Sequence, residues 1–524
     1  MIKMDFNIDD NEHFNMQDFM LPGTPINSNV NIADSFTNSG KMKLGGNAYI
    51  DDNDVFIYPK EMNITGNMDD LYTIINYHEQ FILPKYQMKS MYYKGRHDRI
   101  IEKDDAPKGK PDSRLIINFP KKLIDTFNGF CNFGKVQVSD TNNNNEINNT
   151  IQQWLEKSDF DDLITELSKL SDIYGRAYLY VFDNGQDIEI APCSPMDTIV
   201  VYDDTVKHNP MFAIRYSNGN NGYSGTVITP ANDYTFDTNN TVGSAGKNLK
   251  VDSSSDKGIG ISNTHDNFPF LPVLELKDNE ERIGLMDDVI NLVDSVNETI
   301  SNKTNDTDSF KNSYLFVSGT KMDSDQVTDM NQHNFINLYP TSGSPWKYDG
   351  QNGVISPSVS FISPTPNDEM QENTLNRNID LIYQISQIVD MNDSKLGSNM
   401  SNISGTALFQ RYQTMQSKAN TKAKKLKSLL RQLFSILFAY KHISEDAYAL
   451  SYSFNFNVPH NVIEETQAFS NVFGKIPNEN SVQYLKSLSN KQEIIQKMQQ
   501  MKEQSQQVTA NASDKAISDN KGDK

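Results

Sequence analysis

The feature that most constrains the fold is a long helical pattern near the end of the chain. Residues 405–441 contain no acidic residue, and the later half of this segment is strongly apolar. Its apolar residues recur at helical spacing, at Leu426, Leu429, Leu430, Leu433, Phe434, Ile436 and Leu437. A helix with this pattern must pack against other elements. We therefore expect a cored protein crossed by one long helix.

The same segment concentrates positive charge. It carries eight basic residues inside a chain of net charge −20, at Arg411, Lys418, Lys422, Lys424, Lys425, Lys427, Arg431 and Lys441. Such segregation is typical of a face that meets nucleic acid or an acidic partner. Pairing with acidic residues of the same protein or of its neighbours is the alternative explanation. The candidate contact residues are Arg411, Lys418, Lys422 and Lys425.

A second helix is predicted from Asn279 to about Lys303. Its apolar residues lie four, three, four and four positions apart, at Leu285, Val289, Leu292, Val296 and Ile300. The acids Glu280, Asp287 and Asp294 recur every seven residues, which keeps them on one line of a helix. This line is either the solvated face of an ordinary amphipathic helix or a surface facing a polyanion that must pass without binding.

A polar loop is predicted between two helical patterns, at residues 391–404. Its sequence, MNDSKLGSNMSNIS, is rich in small and polar donors and has one charge of each sign. A connection of this length in a compact domain is often functional. Such a loop can touch phosphates without reading bases. The candidate contact residues are Asn392, Lys395, Asn399 and Asn402.

Strand patterns between the helices indicate an α+β protein. Residues 177–182 alternate and are aromatic, and the Asp-Asn-Gly that follows predicts a turn. Residues 198–202 and 211–216 continue an antiparallel sheet. Residues 308–366 have the pattern of a small separate α/β unit. Residues 1–68 are rich in Asn, Asp, Ser and Gly and are expected to be mostly loop.

Composition and motifs argue against several classes of protein. A sequence pI near 4.8 excludes non-specific coating of nucleic acid by the whole surface. The two cysteines lie far apart, which argues against a disulfide framework or a zinc site. No apolar run is long enough for a transmembrane helix, and the acidic N-terminus is unlike a secretory signal. With no phosphate loop, HExxH or GxSxG, we predict no catalytic residue, metal or cofactor.

Five segments in order resemble one family, the portal proteins of tailed bacteriophages, specifically those of long-tailed phages of Gram-positive hosts. They are Tyr92-Tyr93-Lys94-Gly95, the run from Ser171 to Tyr178, Tyr202 to Val206 with Arg215-Tyr216, Phe268 to Val273 with the helix after it, and Ser404 to Leu408. No single segment is specific. Their order and spacing from Tyr92 to Lys441 carry the resemblance.

The resemblance implies a portal fold whose long helices surround a central channel in a ring, normally a dodecamer. The expected parts are a polar N-terminal arm, partly disordered (1–68), a wing of helices plus antiparallel sheet (69–278), a stem helix (279–307), a clip (308–366), a second stem helix (367–390), a tunnel loop (391–404), a long basic helix through the wing (405–441), a crown (442–505) and a disordered tail (506–524).

The resemblance also implies a function at one vertex of the virion capsid, after assembly in the host cytoplasm. Double-stranded DNA would be packaged through the channel by the terminase motor and later ejected. The implied partners are further copies of the chain, the terminase large subunit, a head-completion or adaptor protein, and the major capsid and scaffolding proteins, with no membrane. Rings of Glu280, Asp287 and Asp294 would repel phosphate, and the basic helix would mediate subunit packing or meet packaged DNA near the crown.

Two other functions stay open at this point. Another virion structural or connector protein would have a different oligomer and no central channel. A DNA-packaging enzyme would need a phosphate loop or an acidic metal cluster, and the sequence shows neither motif.

Overall fold

A computed structural model describes residues 40–107, 110–142, 144–219, 222–237, 260–264, 268–310, 314–318, 358–362, 368–390, 405–458 and 462–472. Within these ranges helices alternate with strands that pair almost entirely antiparallel. The predicted α+β class is therefore confirmed.

Six helices lie between Met68 and Tyr174, in the first third of the chain. Helix α1 (Met68–Tyr77) continues through a π-helical turn (His78–Ile82) into α2 (Leu83–Tyr93). The others are α3 (Asp98–Ile101), α4 (Phe119–Cys131), α5 (Asn145–Lys157) and α6 (Phe160–Tyr174). The start of α4 is fixed by the side chain of Asn118, which accepts a hydrogen bond from the backbone N–H of Lys121, and Pro120 lies in the first turn.

The largest layer is an eight-stranded sheet. In spatial order its strands are β1 (Lys41–Gly45), β2 (Ala48–Asp51), β3 (Phe56–Tyr58), β7 (Thr198–Asp203), β8 (Pro210–Gly219), β9 (Gly222–Ile228), β10 (Asn232–Asp237) and β11 (Gly260–Thr264). A second sheet has the order β12 (Val273–Lys277), β5 (Arg176–Asp183) and β6 (Ile188–Cys193).

The expectation that residues 1–68 are mostly loop is wrong for residues 41–58, which form β1, β2 and β3. Phe56 and Tyr58 are buried in one apolar cluster, and Val55 and Ile57 are buried in another. Strand β3 is therefore covered on both faces. It pairs in parallel with β7, where Phe56 lies opposite Val201. Because β3 has only three residues and its parallel partner β7 is distant in the sequence, the local sequence pattern gives little indication of this strand.

A pair of antiparallel helices extends from these layers. Helix α7 (Ile290–Phe310) leads into β13 (Tyr314–Ser318), which pairs with β14 (Ser358–Ile362), and α8 (Asp368–Ser386) returns beside α7. Lys303 binds Glu372 at 2.6 Å, and Gln371 donates to Asp306 at 3.0 Å. We call α7 and α8 the helix pair. Both strands lie within the predicted small α/β unit of residues 308–366, and residues 319–357 of that unit lie outside the described residues.

Helix α7 begins later than predicted, because residues 279–289 form turns. The side chain of Asn279 accepts from the N–H of Ile283 and donates to its carbonyl oxygen. Gly284 packs so closely that an added Cβ would lie 2.6 Å from the carbonyl oxygen of Ile173. These local bonds hold the chain out of helical conformation until the short 3-10 turn at Asp287–Val289.

The long helix α9 (Gly405–Tyr440) matches its predicted bounds almost to the residue, and the apolar residues of its later half are buried. The chain then forms β15 (Leu450–Ser453), which pairs with β4 (Gln137–Asp140), and α10 (Val462–Val472). We call the described residues of 40–278, together with α9 and residues 442–458, the central unit. Phe456 stacks on Phe130 with ring centroids 5.9 Å apart, so the first residues after 442 pack against α4, and the crown bounds 442–505 stay a prediction.

Candidate functional site at the root of the helix pair

The helix pair joins the central unit in a region lined with charged side chains, which we call the root of the helix pair. Lys89 on α2 lies 2.5 Å from Asp287, just before α7, and also donates to the carbonyl oxygen of Tyr174 at 3.3 Å. The N–H of Gly284 donates to the same carboxylate at 2.7 Å. Burial raises the pKa of Asp287, and the charge of Lys89 opposes that shift. Asp287 therefore ties the start of α7 to α2.

Asp294 is held inside the same root. Its side chain is 6% exposed and accepts from the hydroxyl of Tyr92 at 3.1 Å to each oxygen. Arg99 lies 3.9 Å away. Burial raises the pKa of Asp294, while the hydrogen bond from Tyr92 lowers it. This carboxylate faces α2 and α3, not solvent.

Glu280 lies apart from these two acids, in the turns before α7. It is exposed and binds both Lys277 and Lys425, whose hydrogen bonds lower its pKa to about 2. The prediction that Glu280, Asp287 and Asp294 form one exposed line along a helix is therefore wrong. Seven-residue recurrence places residues on one line only if a single helix includes all of them, and this helix begins after Glu280.

A buried ion pair fixes the turn that feeds α7. Arg282 contacts both oxygens of Glu275 on β12, at 2.8 and 3.0 Å, and the hydroxyl of Tyr202 donates to the same carboxylate. Burial raises the pKa of Glu275, but the charge and hydrogen bonds of Arg282, the charge of Arg176 and the hydrogen bond from Tyr202 together lower that pKa to about 2. Glu275 is thus ionised, and its bidentate pair holds the turn against the second sheet.

A buried lysine connects α9 to the same region. The ammonium of Lys422 lies 2.5 Å from Asp172 on α6 and 3.5 Å from Asp278, and it donates to the carbonyl oxygen of Ser168 at 2.9 Å. The side chains of Lys422 and Asp172 are 1% and 0% exposed. Burial alone would lower the pKa of Lys422, but the charges of Asp172 and Asp278 raise it. Lys422 is therefore a structural cation.

The other predicted contacts on α9 are also occupied within the chain. Lys418 donates to the carbonyl oxygen of Ser386 at 3.3 Å and lies 5.9 Å from the ring centre of Phe127. Lys425 binds Glu280, and the side chain of Arg411 lies outside the described residues. A free nucleic-acid face made by Lys418, Lys422 and Lys425 is thus contradicted. Their charges pair with groups of the same chain, which was the alternative explanation.

The helix pair itself carries a large acidic excess. Helices α7 and α8 together contain eight acidic and two basic residues. Several of the acids are exposed, among them Asp306, Glu369, Glu372 and Asp380. A surface of this charge repels phosphate at distances up to about a Debye length, roughly 8 Å at physiological salt. The acidic surface exists, but it is built from residues other than those predicted.

The predicted loop residues Asn392, Lys395, Asn399 and Asn402 lie outside the described residues. The residues just before the loop are described and meet cations of the central unit. Lys122 on α4 lies 3.6 Å from Asp390 and 5.2 Å from the ring centre of Tyr383. Asp390, the last described residue before the predicted loop, therefore lies at the root of the helix pair.

Sequence reasoning missed most of the residues that build this root. Lys89 stands in ordinary amphipathic surroundings and gains its role from Asp287, 198 residues away, while Glu275 and Arg282 pair across the end of β12 and the turn after it, which no helical or strand periodicity reveals. Tyr92 and Gly175 were available as signals, because both lie in segments that carry the family resemblance. Lys422 did have a signal in the sequence, because it is a lysine among the apolar positions of α9.

None of the helices described here is long and apolar enough to cross a membrane. Nor do the described ranges contain three or more His, Cys, Asp or Glu side chains grouped as metal ligands.

Comparison with known proteins gives one family match. The family described as phage portal protein, SPP1 Gp6-like, matches residues 72–508, which is well over half of the chain. No curated protein matches the chain. A solved neck of a native GTA particle, computed with C12 symmetry, aligns at 12% identity over 70% of this chain and 89% of that one, with a TM-score of 0.41. The virion of a native gene transfer agent particle aligns at 12% identity over the same shares, with a TM-score of 0.39.

Proposed function

The chain belongs to the SPP1 Gp6-like family of phage portal proteins, and on that premise we propose that it forms a closed ring of twelve copies at one vertex of the capsid. The family match over residues 72–508 carries this proposal, because it spans the helix pair, α9 and most of the central unit. Identical copies joined head to tail close into a ring when the rotation between neighbours divides a full turn.

We propose that the helix pair lines a channel for double-stranded DNA. The exposed acids of the helix pair include Asp306, Glu369 and Asp380. We assign the tunnel-lining role to these residues instead of Asp287 and Asp294, because those two carboxylates face the interior of their own chain. Repulsion of phosphate would deny DNA the counterion-releasing contacts that produce strong binding. The duplex would then move under the force of a separate motor.

The loop 391–404 remains our proposal for transient contact with the DNA backbone. Asn392, Lys395, Asn399 and Asn402 offer uncharged donors and one cation, which suits brief contacts better than tight ones. The described residues before the loop lie at the root of the helix pair, so the loop starts beside the proposed channel. Helix α9 would serve mainly subunit packing, with Arg411 as its candidate for contact with a neighbour or with DNA.

We propose the partners that the family implies. The terminase large subunit would dock first and the head-completion or adaptor protein later, at the end of the helix pair where β13 meets β14. The major capsid and scaffolding proteins would contact the outer part of the ring. The family is a structural one, so we propose that the motor, and not this chain, hydrolyses ATP. Long-tailed morphology and a Gram-positive host stay predictions from the resemblance.

Neutralising the exposed acids tests the channel. The triple change Asp306→Asn, Glu369→Gln and Asp380→Asn should slow packaging about threefold or more, because phosphates would then dwell on the channel wall. Packaging is measured as DNA filled per unit time into purified proheads, together with the mass of the ring.

A matched control removes the same charge from exposed acids of the central unit, through Asp52→Asn, Glu61→Gln and Glu156→Gln. This control should package at the wild-type rate. Equal rates for the two triple variants, with both rings intact, would show that the helix pair does not line the path of the DNA.

A further inference from the structure

An extended segment lies along α7 and is bound by side chains of that helix. We call residues 113–117 the strap. Three backbone N–H groups donate to α7, from Ser113 to Asn305 Oδ1 at 2.6 Å, from Leu115 to Ser301 Oγ at 2.9 Å, and from Ile117 to Asn297 Oδ1 at 2.7 Å. The donors lie two residues apart on the strap and the acceptors lie four residues apart on α7. Two residues of extended chain span about 6.6 Å and four helical residues about 6.0 Å, so the spacing of donors matches the spacing of acceptors.

The orientation of the Asn297 amide follows from its two partners. The backbone N–H of Ile117 can only donate, so the atom facing it must be the oxygen of Asn297. The amide nitrogen therefore faces His97, whose Nδ1 lies 2.9 Å away. Because that nitrogen donates, Nδ1 must be unprotonated, and neutral His97 carries its proton on Nε2. His97 is fully buried and stacks on Tyr92, with ring centroids 4.4 Å apart.

Protonation of His97 is incompatible with this arrangement. It would place an N–H on Nδ1 opposite the N–H groups of Asn297, so two donors would face each other. Rotating the amide would satisfy His97 but would turn the amide nitrogen toward the N–H of Ile117. Either way one bond of the strap is lost, at the residue where the strap enters α4.

We propose that His97 and Asn297 form a proton-sensitive latch that positions the strap on α7. Neutral His97 keeps the latch closed, and protonated His97 releases the Ile117 end of the strap. The inference concerns contacts within one chain and does not depend on the proposed channel. His97 and Asn297 are positioning residues here, acting on the strap through Asn297 Oδ1.

The charges on the elements around His97 set the pH range. Asp98 and Arg99 lie on α3, Asp294 and Glu298 lie on α7, Tyr92 lies on α2, and Arg96 and Lys103 flank α3. Burial lowers the pKa of His97 below its ordinary value, and the backbone of Tyr92 and then the charge of Asp98 oppose that shift. With a lowered pKa the closed latch holds at neutral pH. Because the open state binds the proton more tightly, acidification favours opening.

Hydrogen–deuterium exchange of the peptide covering the strap, in the assembled full-length protein, tests the latch. Wild type and His97→Gln are compared at pH 7.5 and again at pH 5.5, so that the intrinsic effect of pH on exchange cancels. The ratio of wild-type to His97→Gln exchange should rise roughly five- to tenfold on acidification, the change expected for loss of about one hydrogen bond. Glutamine cannot titrate, so its strap should stay closed.

Two further variants separate a latch from a general weakening. Asn297→Asp keeps an acceptor for Ile117 and gives His97 an acceptor in either protonation state, so its strap should stay protected at pH 5.5. Asn305→Ala removes a different strap bond and should exchange faster at both pH values while keeping the acid response. The latch would be overturned if acidification did not speed exchange of the strap in wild type, or if it sped exchange equally in all four proteins.

Discussion

Replacing Lys422 with methionine should lower the free energy of unfolding by about 3–5 kcal/mol. The change removes the cation that lies near both Asp172 and Asp278, whose side chains are 0% and 5% exposed. Two carboxylates would then remain buried without their partner, and removing one member of a buried charged cluster costs far more than the cluster contributes as a whole. Midpoints of urea unfolding, followed by tryptophan fluorescence, give the measurement.

Lys424→Met is the matched control, because Lys424 lies on the exposed side of the same helix. It should change stability by less than about 0.5 kcal/mol. Adding Asp172→Asn to Lys422→Met should restore part of the loss, because one of the two stranded charges is removed. A loss below about 1 kcal/mol for Lys422→Met would mean that Asp172 and Asp278 do not need this cation.

Gly175→Ala should destabilise the chain by about 3 kcal/mol or more, since it combines left-handed strain with a clash against backbone. Gly175 ends α6 at φ +89°, and an added Cβ would lie 1.9 Å from the carbonyl oxygen of Arg282. That oxygen belongs to the turn that feeds α7, so the turn or the end of α6 must move. The expected readouts are a lower unfolding midpoint and faster proteolysis near residue 282.

Gly185→Ala isolates the steric part of this effect. Gly185 has a similar φ of +83°, but nothing lies within 4 Å of an added Cβ. It should therefore cost only the backbone strain, about 1–2 kcal/mol. Equal losses for the two variants would contradict the close packing between α6 and the turn before α7.

Features that depend on residues close together in the sequence were predictable. The apolar stripe of α9 depends on neighbours three and four residues away, and its predicted end at Lys441 lies one residue beyond the observed end. The alternating strand pattern of residues 177–182 predicted β5 for the same reason. The family resemblance rested on ordered short segments, and the match over residues 72–508 confirms it.

Features set by distant contacts were not predictable from local pattern. The direction that Asp287 and Asp294 face is decided by Lys89 and Tyr92, about two hundred residues earlier. The charge of Lys422 is matched by Asp172, which lies on α6 and not on its own helix. Charge patterns along one helix therefore indicated that partners exist, but not whether those partners belong to the same chain.

The mass and shape of the purified assembly test the central claim most directly. Native mass spectrometry with negative-stain imaging should show a closed ring with a central channel wide enough for duplex DNA. Twelve copies of the 59.4 kDa chain give a mass of about 0.7 MDa for a head-to-tail ring. A small closed oligomer without a channel would contradict the account.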